Sequence, residues 1–321
     1  MSTARTEPRR ATIAMQLAAV SIGTLLMSAC PGQRPAPAPE VRPTTGAEEH
    51  FSTPKAAVDT LLAACRAHDE ARIIAIFGEP ARAIVSTGDP AVDRERCDKL
   101  VEAAGQSMRL DPKGPDTVQL VVGTDDWAMP IPLVKDAKGW RFDTAEGMQE
   151  IRRRRIGADE LEAIAACHVY VRAQEAYASR TRRGPKVYAE KLVSTPGKKD
   201  GLYWPSNGTR DVSPLGPVAA AVGATPGERP HGTWRGYHFR ILTAQGTNAP
   251  GGQRSYVVNG QMTGGFALVA YPVVYGSSGI MTFIVGPDGQ IYERDLGEKT
   301  DETAGAMLAY DPDGTWKRVG S

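Results

Sequence analysis

The sequence lacks the short motifs by which many enzymes that use nucleotides, phosphates or metals are recognised. It has no glycine-rich dinucleotide loop, no phosphate-binding loop and no paired-histidine metalloprotease motif. The segment 276–279 carries two serines without the spacing of a nucleophile elbow, and its place between two predicted strands favours a turn. No catalytic residue, metal ligand or cofactor is therefore assigned, and an enzymatic activity is not the favoured interpretation.

The net charge is close to zero, and cysteines are few. The 38 basic and 37 acidic residues leave a formal net charge of +1, so nucleic acid is not an expected partner. The four cysteines match no zinc-binding spacing. Apart from Cys30, the chain has Cys65, Cys97 and Cys167, an odd number. A Cys65–Cys97 disulfide is one alternative for them, and buried free thiols are the other.

The first thirty residues have the three parts of an export signal. Three arginines form a positive region, residues 11–27 are nearly uncharged and apolar, and small residues precede Cys30. The segment 27–30 resembles a lipobox, whose cysteine is diacylated and becomes the new N-terminus after cleavage. We therefore expect residues 1–29 to be a signal peptide and Cys30 to be the site of lipid attachment. A retained membrane-spanning helix is the alternative, because the apolar stretch is about 17 residues long.

The residues after Cys30 predict where the chain is exported to. Pro31 stands where an aspartate would indicate inner-membrane retention, so we expect an outer-membrane lipoprotein facing the periplasm or the surface. Two acyl chains anchor a protein stably, so Cys30 is the expected membrane attachment. Cleavage would remove three arginines and one glutamate and change the formal charge from +1 to −1. Residues 30–50 are rich in proline and are predicted to form an extended tether.

Residues 51–150 are predicted to form an N-terminal α+β domain. Apolar residues recur with a helical period after Thr53-Pro54, which can begin a helix, after Asp69, and from Ala91 to Ala104. Strands are then predicted at 117–122, 127–134 and 139–142. Helices followed by a curled antiparallel sheet resemble the small cone-shaped domains of the nuclear transport factor two-like class.

Residues 151–321 are predicted to form a second domain, in which a long helix packs on an antiparallel sheet of four or five strands. The helical pattern runs from about Thr144 to Arg180 with a break at Gly157, and its apolar seam includes Leu161. We interpret the run 152–155, four arginines, as the solvated end of a helix. Asn259-Gly260 indicates a hairpin turn. The order of helix and strands is similar to the globular heads of type IV pilin-like proteins.

Several segments together identify a family by resemblance. They are residues 51–54, 125–134, 139–144, 194–205, 213–217, 237–246, 264–272 and 278–285. They resemble the bacterial family catalogued as domain of unknown function 2950, and the resemblance extends over nearly all of residues 51–320. It implies no particular activity.

Six side chains are candidates for a ligand pocket. They are His68, Asp69, Asp125 and Asp143 in the N-terminal domain and Trp234 and His238 in the C-terminal domain. We expect a non-enzymatic envelope protein that binds an envelope protein or glycan or organises the cell surface. The alternative is a hydrolase or small-ligand-binding enzyme that uses a pocket in the N-terminal domain, and a deep cavity with converging polar groups would favour it.

Overall fold

A computed structural model describes residues 48–181, 183–205, 212–216 and 232–320. The predicted signal peptide, Cys30 and most of the predicted tether lie outside these ranges. In the described part, no helix is both long and apolar enough to cross a membrane.

The N-terminal half begins with four helices, three of which start at a side-chain cap. They are α1 (Pro54–Arg66), α2 (Glu70–Phe77), α3 (Arg82–Val85) and α4 (Pro90–Gln106). Thr53, Asp69 and Asp89 each accept a hydrogen bond from a backbone N–H in the first turn that follows, which satisfies donors that have no partner within the helix. The first two caps lie where the sequence predicts them.

Five antiparallel strands complete this half. They are β1 (Met108–Gly114), β2 (Thr117–Val122), β3 (Trp127–Ala128), β4 (Leu133–Asp136) and β5 (Gly139–Phe142). β1 pairs with one edge of β2, while β3 and β4 share its other edge, and β5 follows β4. The strand predicted over 127–134 is wrong as a single strand, because Pro130 and Pro132 lie between its two short parts and cannot donate ladder hydrogen bonds.

The first hydrophobic core lies between this sheet and helices α1 and α2. Leu61, Ile76, Leu120, Leu133 and Phe142 are each at most 1% exposed. Burial of one such side chain stabilises the fold by about 1.5–3 kcal/mol. Helix α4 differs from α1 and α2, since none of its residues is fully buried.

Helix α5 (Thr144–Ala178) is 35 residues long and continues through Gly157. The predicted break is therefore wrong, and the predicted domain boundary between residues 150 and 151 falls inside this helix. Its arginine run lies in the first third of the helix and not at an end, so the helix-end interpretation is also wrong, although all four arginines are exposed. Leu161 is 68% exposed and does not belong to the buried seam.

The C-terminal half contains eleven strands and one further helix in the described residues. The strands are β6 (Gly232–Trp234), β7 (Tyr237–Leu242), β8 (Ala244–Gln245), β9 (Arg254–Ser255), β10 (Val257–Val258), β11 (Gln261–Met262), β12 (Ala267–Pro272), β13 (Met281–Val285), β14 (Ile291–Asp295), β15 (Ala309–Tyr310) and β16 (Lys317–Arg318). The helix is α6 (Thr300–Ala306). The hairpin β10–β11 turns at Asn259-Gly260, as predicted, with positive φ at both residues.

Six of these strands form one antiparallel sheet in the order β16-β14-β13-β12-β7-β6. All six residues of β12 are buried, so both faces of the sheet centre are covered. Helices α5 and α6 both contact this strand. The Tyr170 hydroxyl of α5 donates to the carbonyl of Ala267 at 3.0 Å, and Glu160 of α5 accepts from the N–H groups of Ile280 and Met281 at 2.9 and 3.0 Å.

The structure is thus α+β, with a long helix before a C-terminal antiparallel sheet, as the sequence predicts. Strands β15 and β8 depart from the antiparallel pattern and form a short parallel pair.

Candidate functional site

His68 and Asp69 lie in the turn between α1 and α2. His68 has a positive φ, and its Nε2 is 2.8 Å from Oδ1 of Asp98 on α4. Asp69 accepts a hydrogen bond from the N–H of Arg72 at 2.9 Å and caps α2. The two neighbouring side chains therefore have separate partners.

Asp125 and Asp143 have different positions in the N-terminal half. Asp125 lies in the turn between β2 and β3 and lines a large cavity. Asp143 caps α5 by accepting from the N–H of Glu146 at 3.2 Å, and it lies 3.9 Å from Arg141. Of the four N-terminal candidates, Asp125 alone lines this cavity.

Trp234 and His238 belong to the hairpin β6–β7 but face opposite sides of its sheet. His238 pairs in register with Thr233, the residue next to Trp234, and successive residues of a strand alternate between faces. The His238 ring contacts Tyr271 at 5.2 Å between centroids. Trp234 packs on the second hydrophobic core, which lies between α5 and the six-stranded sheet. The structure does not bring these two candidates together.

The large cavity lies in the N-terminal half and has a volume of about 930 Å³. Its wall is formed by helices α3 and α4, the end of α2, strands β2 and β3, the segment before β4 and the first third of α5. Twelve of the seventeen lining residues are apolar. They are Phe77, Ala83, Ile84, Val85, Leu100, Ala103, Val122, Trp127, Met129, Pro130, Ile131 and Ile151.

The charged residues of this cavity are mainly basic. Arg96 and Lys99 come from α4 and Arg155 from α5, while Asp125 is the one acidic residue among the described lining residues. Lys99 pairs with Glu95 at 2.7 Å, and Arg155 lies 3.7 Å from Asp159. Arg96 has no hydrogen bond or ion pair to another described residue, so its guanidinium is available to a ligand.

The geometry can hold a mainly apolar molecule with a negatively charged group. Among the described residues that line the cavity there is no histidine, cysteine or serine. The apolar wall and the basic side chains are features of a site that can hold such a ligand. In the described part of the chain, no group of acidic, histidine or cysteine side chains is arranged to hold a metal ion.

A family model described as "protein of unknown function (DUF2950)" matches residues 48–319. The chain belongs to this family. The match begins at the first described residue and covers both cores, so the family comprises the N-terminal and the C-terminal halves together. No curated protein and no solved structure matches the chain.

A second, smaller cleft of this DUF2950 chain has a volume of about 180 Å³ and lies between the α1–α2 turn and α4. His68 and Cys97 line it, and His68 contacts Asp98. The cleft is smaller than the roughly 300–1,000 Å³ of typical small-molecule sites. At this cleft the His68 imidazole, the Asp98 carboxylate and the Cys97 thiol lie close together.

The basic residues of the large cavity are not among the candidates predicted from the sequence. Arg96 and Lys99 are three residues apart on a predicted helix and therefore share a face, a signal that was available. Arg155 was recognised only as part of an exposed run. Its proximity to the α4 pair depends on the packing of α5 beside β3, where Arg154 donates to the carbonyl of Ala128 at 2.8 Å.

Proposed function

We propose that this chain is an exported lipoprotein of the bacterial envelope that binds an amphiphilic anion and does not change it chemically. The anchor is Cys30, and the binding site is the cavity beneath α4. The observation that carries the proposal is the combination of an apolar wall with a basic set of charged residues. The volume of about 930 Å³ lies within the range of small-molecule sites.

The apolar wall supports an alkyl or ring-containing ligand body. Each methylene group removed from water contributes about 0.8 kcal/mol. Ile84, Leu100 and Ile131 come from three separate elements and line the same space, so a chain of several carbons can be covered on more than one side. A small polar metabolite would leave these side chains without a partner.

The sign of the head group follows from the charges. Lys99 and Arg155 are paired with Glu95 and Asp159, so the charge that favours an anion at the cavity is mainly that of Arg96. A carboxylate or phosphate on an alkyl chain would satisfy this charge and the apolar wall together. An envelope protein or glycan partner, expected from the sequence, remains a prediction that the cavity does not address.

Calorimetric titration of the full-length Cys30→Ser chain with dodecanoate tests the ligand class. We expect saturable binding of dodecanoate and much weaker binding of dodecyltrimethylammonium, which has the same alkyl chain and the opposite charge. Arg96→Ala should weaken dodecanoate binding about 2- to 5-fold, as for an exposed charge interaction. Arg94→Ala is the matched control, because Arg94 is an exposed arginine of the same helix that lines the small cleft instead.

The variant Ala103→Phe tests the location of the ligand. Ala103 is half-buried and lines the cavity, so a phenyl ring there would occupy part of the volume. We expect it to abolish dodecanoate binding while the circular dichroism spectrum stays unchanged. Equal binding of the two detergents would contradict the charge argument, and undiminished binding by a folded Ala103→Phe protein would contradict the site.

A hydrolase is the second candidate, and the pair His68–Asp98 beside Cys97 is the observation in its favour. A histidine oriented by a carboxylate is the usual arrangement of a general base. The small volume of the cleft ranks this alternative below binding. Hydrolysis of nitrophenyl esters that His68→Ala abolishes would reverse the ranking.

A further inference from the structure

Cys65 and Cys97 lie on two helices that pack against each other. Cys65 is on the buried face of α1, and Cys97 is near the middle of α4 and packs on the same core. Burial, followed by the neighbouring Cys97 thiol, raises the pKa of the Cys65 thiol.

The two thiols differ in accessibility. Cys65 is 3% exposed, whereas Cys97 is half-buried and lines the small cleft next to His68 and Arg94. A molecule in solution can therefore reach Cys97 first. The third cysteine of the described residues, Cys167, is fully buried in the other core, where burial raises its pKa to about 12.

The helix that carries Cys97 is held by weaker packing than its neighbours. None of its residues is fully buried, and its apolar side chains Leu100 and Val101 are half-buried. A covalent bond from its middle to α1 would restrain it where noncovalent packing is limited. The bond would close a loop of about thirty residues, a length at which a disulfide stabilises a fold by restricting the unfolded chain.

We propose that Cys65 and Cys97 are a modification site at which a disulfide forms by exchange with a disulfide-bonded oxidant. The Cys97 thiolate attacks one sulfur of the oxidant and forms a mixed disulfide with it, while the S–S bond of the oxidant breaks and its other sulfur leaves as a thiolate. The Cys65 thiolate then attacks the Cys97 sulfur and releases the second thiol. The two cysteine protons pass to the two leaving thiolates, and the two electrons reduce the oxidant.

The test uses the reduced, full-length Cys30→Ser chain, oxidised glutathione and peptide mass spectrometry. Replacement of Cys30 makes the result independent of lipid anchoring. No ligand is added, so the result is also independent of the proposed ligand binding. We expect the peptides of Cys65 and Cys97 to be joined, with no glutathione retained. Glutathione retained on Cys97 beside a free Cys65, a bond to Cys167, or no reaction would overturn the proposal.

Three variants separate the two steps. In Cys65→Ser, Cys97 should retain one glutathione, because the second thiol is missing. In Cys97→Ser, Cys65 should remain unmodified, because it is buried. Cys167→Ser should form the same bond as its parent.

Oxidation should raise the Tm of the parent by roughly 3–8 °C and leave that of Cys97→Ser unchanged. An equal rise in both proteins would contradict the assignment.

Discussion

Asp136 joins the first described residues to the N-terminal sheet. Its carboxylate is 2.9 Å from Nε2 of His50 and 3.4 Å from Nε of Arg141. Two further ion pairs, Glu48–Arg141 and Glu49–Arg72, connect the same first residues to β5 and to α2. Residues 48–50, which the sequence interpretation assigned to the tether, therefore contact the folded domain. The hydrogen bond from His50, with that from the Lys138 N–H, lowers the pKa of Asp136 to about 2.

This lowered pKa predicts a pH-dependent contribution to stability. A carboxyl group whose pKa is lower in the folded protein stabilises it above its unfolded value of 3.8, and this contribution is lost as the pH falls towards 2. We expect Asp136→Asn to lower the Tm by roughly 1–3 °C at pH 6, since the group is exposed. The difference from the parent should shrink between pH 4 and pH 2 in thermal melts.

The matched control for this prediction is Asp59→Asn. Asp59 is an exposed carboxylate that pairs with Lys55 one turn away in α1, and such pairs contribute little. A loss of Tm that is the same at pH 2 and pH 6 in Asp136→Asn would show that the variant disturbs packing and that the ion pairs are not its cause.

At the scale of elements, α5 contains two glycines in opposite surroundings. A Cβ atom at Gly147 would lie 2.5 Å from Cγ1, 2.9 Å from Cβ and 3.0 Å from Cα of Ile131. A Cβ at Gly157 would have no atom within 4 Å. The first glycine permits close approach of the helix to the segment before β4, whereas the second lies in open space and only lowers helix propensity.

These surroundings predict opposite effects of one substitution in one helix. Gly157→Ala should raise the free energy of unfolding by about 0.5–1 kcal/mol, because alanine is the better helix former. Gly147→Ala should lower it by about 1–3 kcal/mol, because the added methyl group overlaps Ile131 and its backbone. Urea unfolding of the two variants measures both values. Stabilisation by both would indicate that Ile131 can move aside.

Local signals made some elements predictable and left others unrecognised. Thr53, Asp69 and Asn259-Gly260 act through their own neighbours, so the caps and the hairpin were predicted from sequence. Strand β1 was missed, because it contains Pro112 and has little apolar alternation, and it is ordered by pairing along the edge of β2. Gly157 predicted a break, but packing of the following turns on the second core outweighs its low helix propensity.

The candidate cavity could not be predicted in the same way. Its wall combines Phe77, Leu100, Val122 and Ile151, which are far apart in sequence and meet only after the helices pack on the sheet. The sequence pattern identifies each of them as apolar but does not show which apolar faces leave a space between them. It therefore favoured polar candidates, of which Asp125 alone lies at this cavity.

At the scale of the whole molecule, α5 connects the two halves. Thr144 in its first turn donates to the carbonyl of Phe77 at 2.6 Å, and Cys167 and Tyr170 in its second half are buried in the C-terminal core. Because α5 packs on both cores, we expect unfolding of one core to destabilise the other. The proposed ligand cavity is close to the point where α5 leaves the first core.

The anchor predicts where the whole protein is found in the cell. If Cys30 is diacylated, Cys30→Ser removes the acyl chains on which stable membrane attachment depends. We expect the variant to move from the membrane fraction to the soluble fraction and to lose labelling by an alkyne fatty acid. Cys97→Ser is the control, since it removes a half-buried thiol of the folded domain, and it should stay in the membrane fraction and keep the label.

Two results would argue against this anchor, and they have different meanings. If Cys30→Ser stays in the membrane fraction without a label, the apolar residues 11–27 would be retained as a membrane-spanning helix, the alternative that their length allows. If it keeps the label, acylation would occur on another residue. Either outcome would leave the cavity proposal intact, because dodecanoate binding is measured on a chain that lacks Cys30. Anchor and ligand site can therefore be contradicted separately.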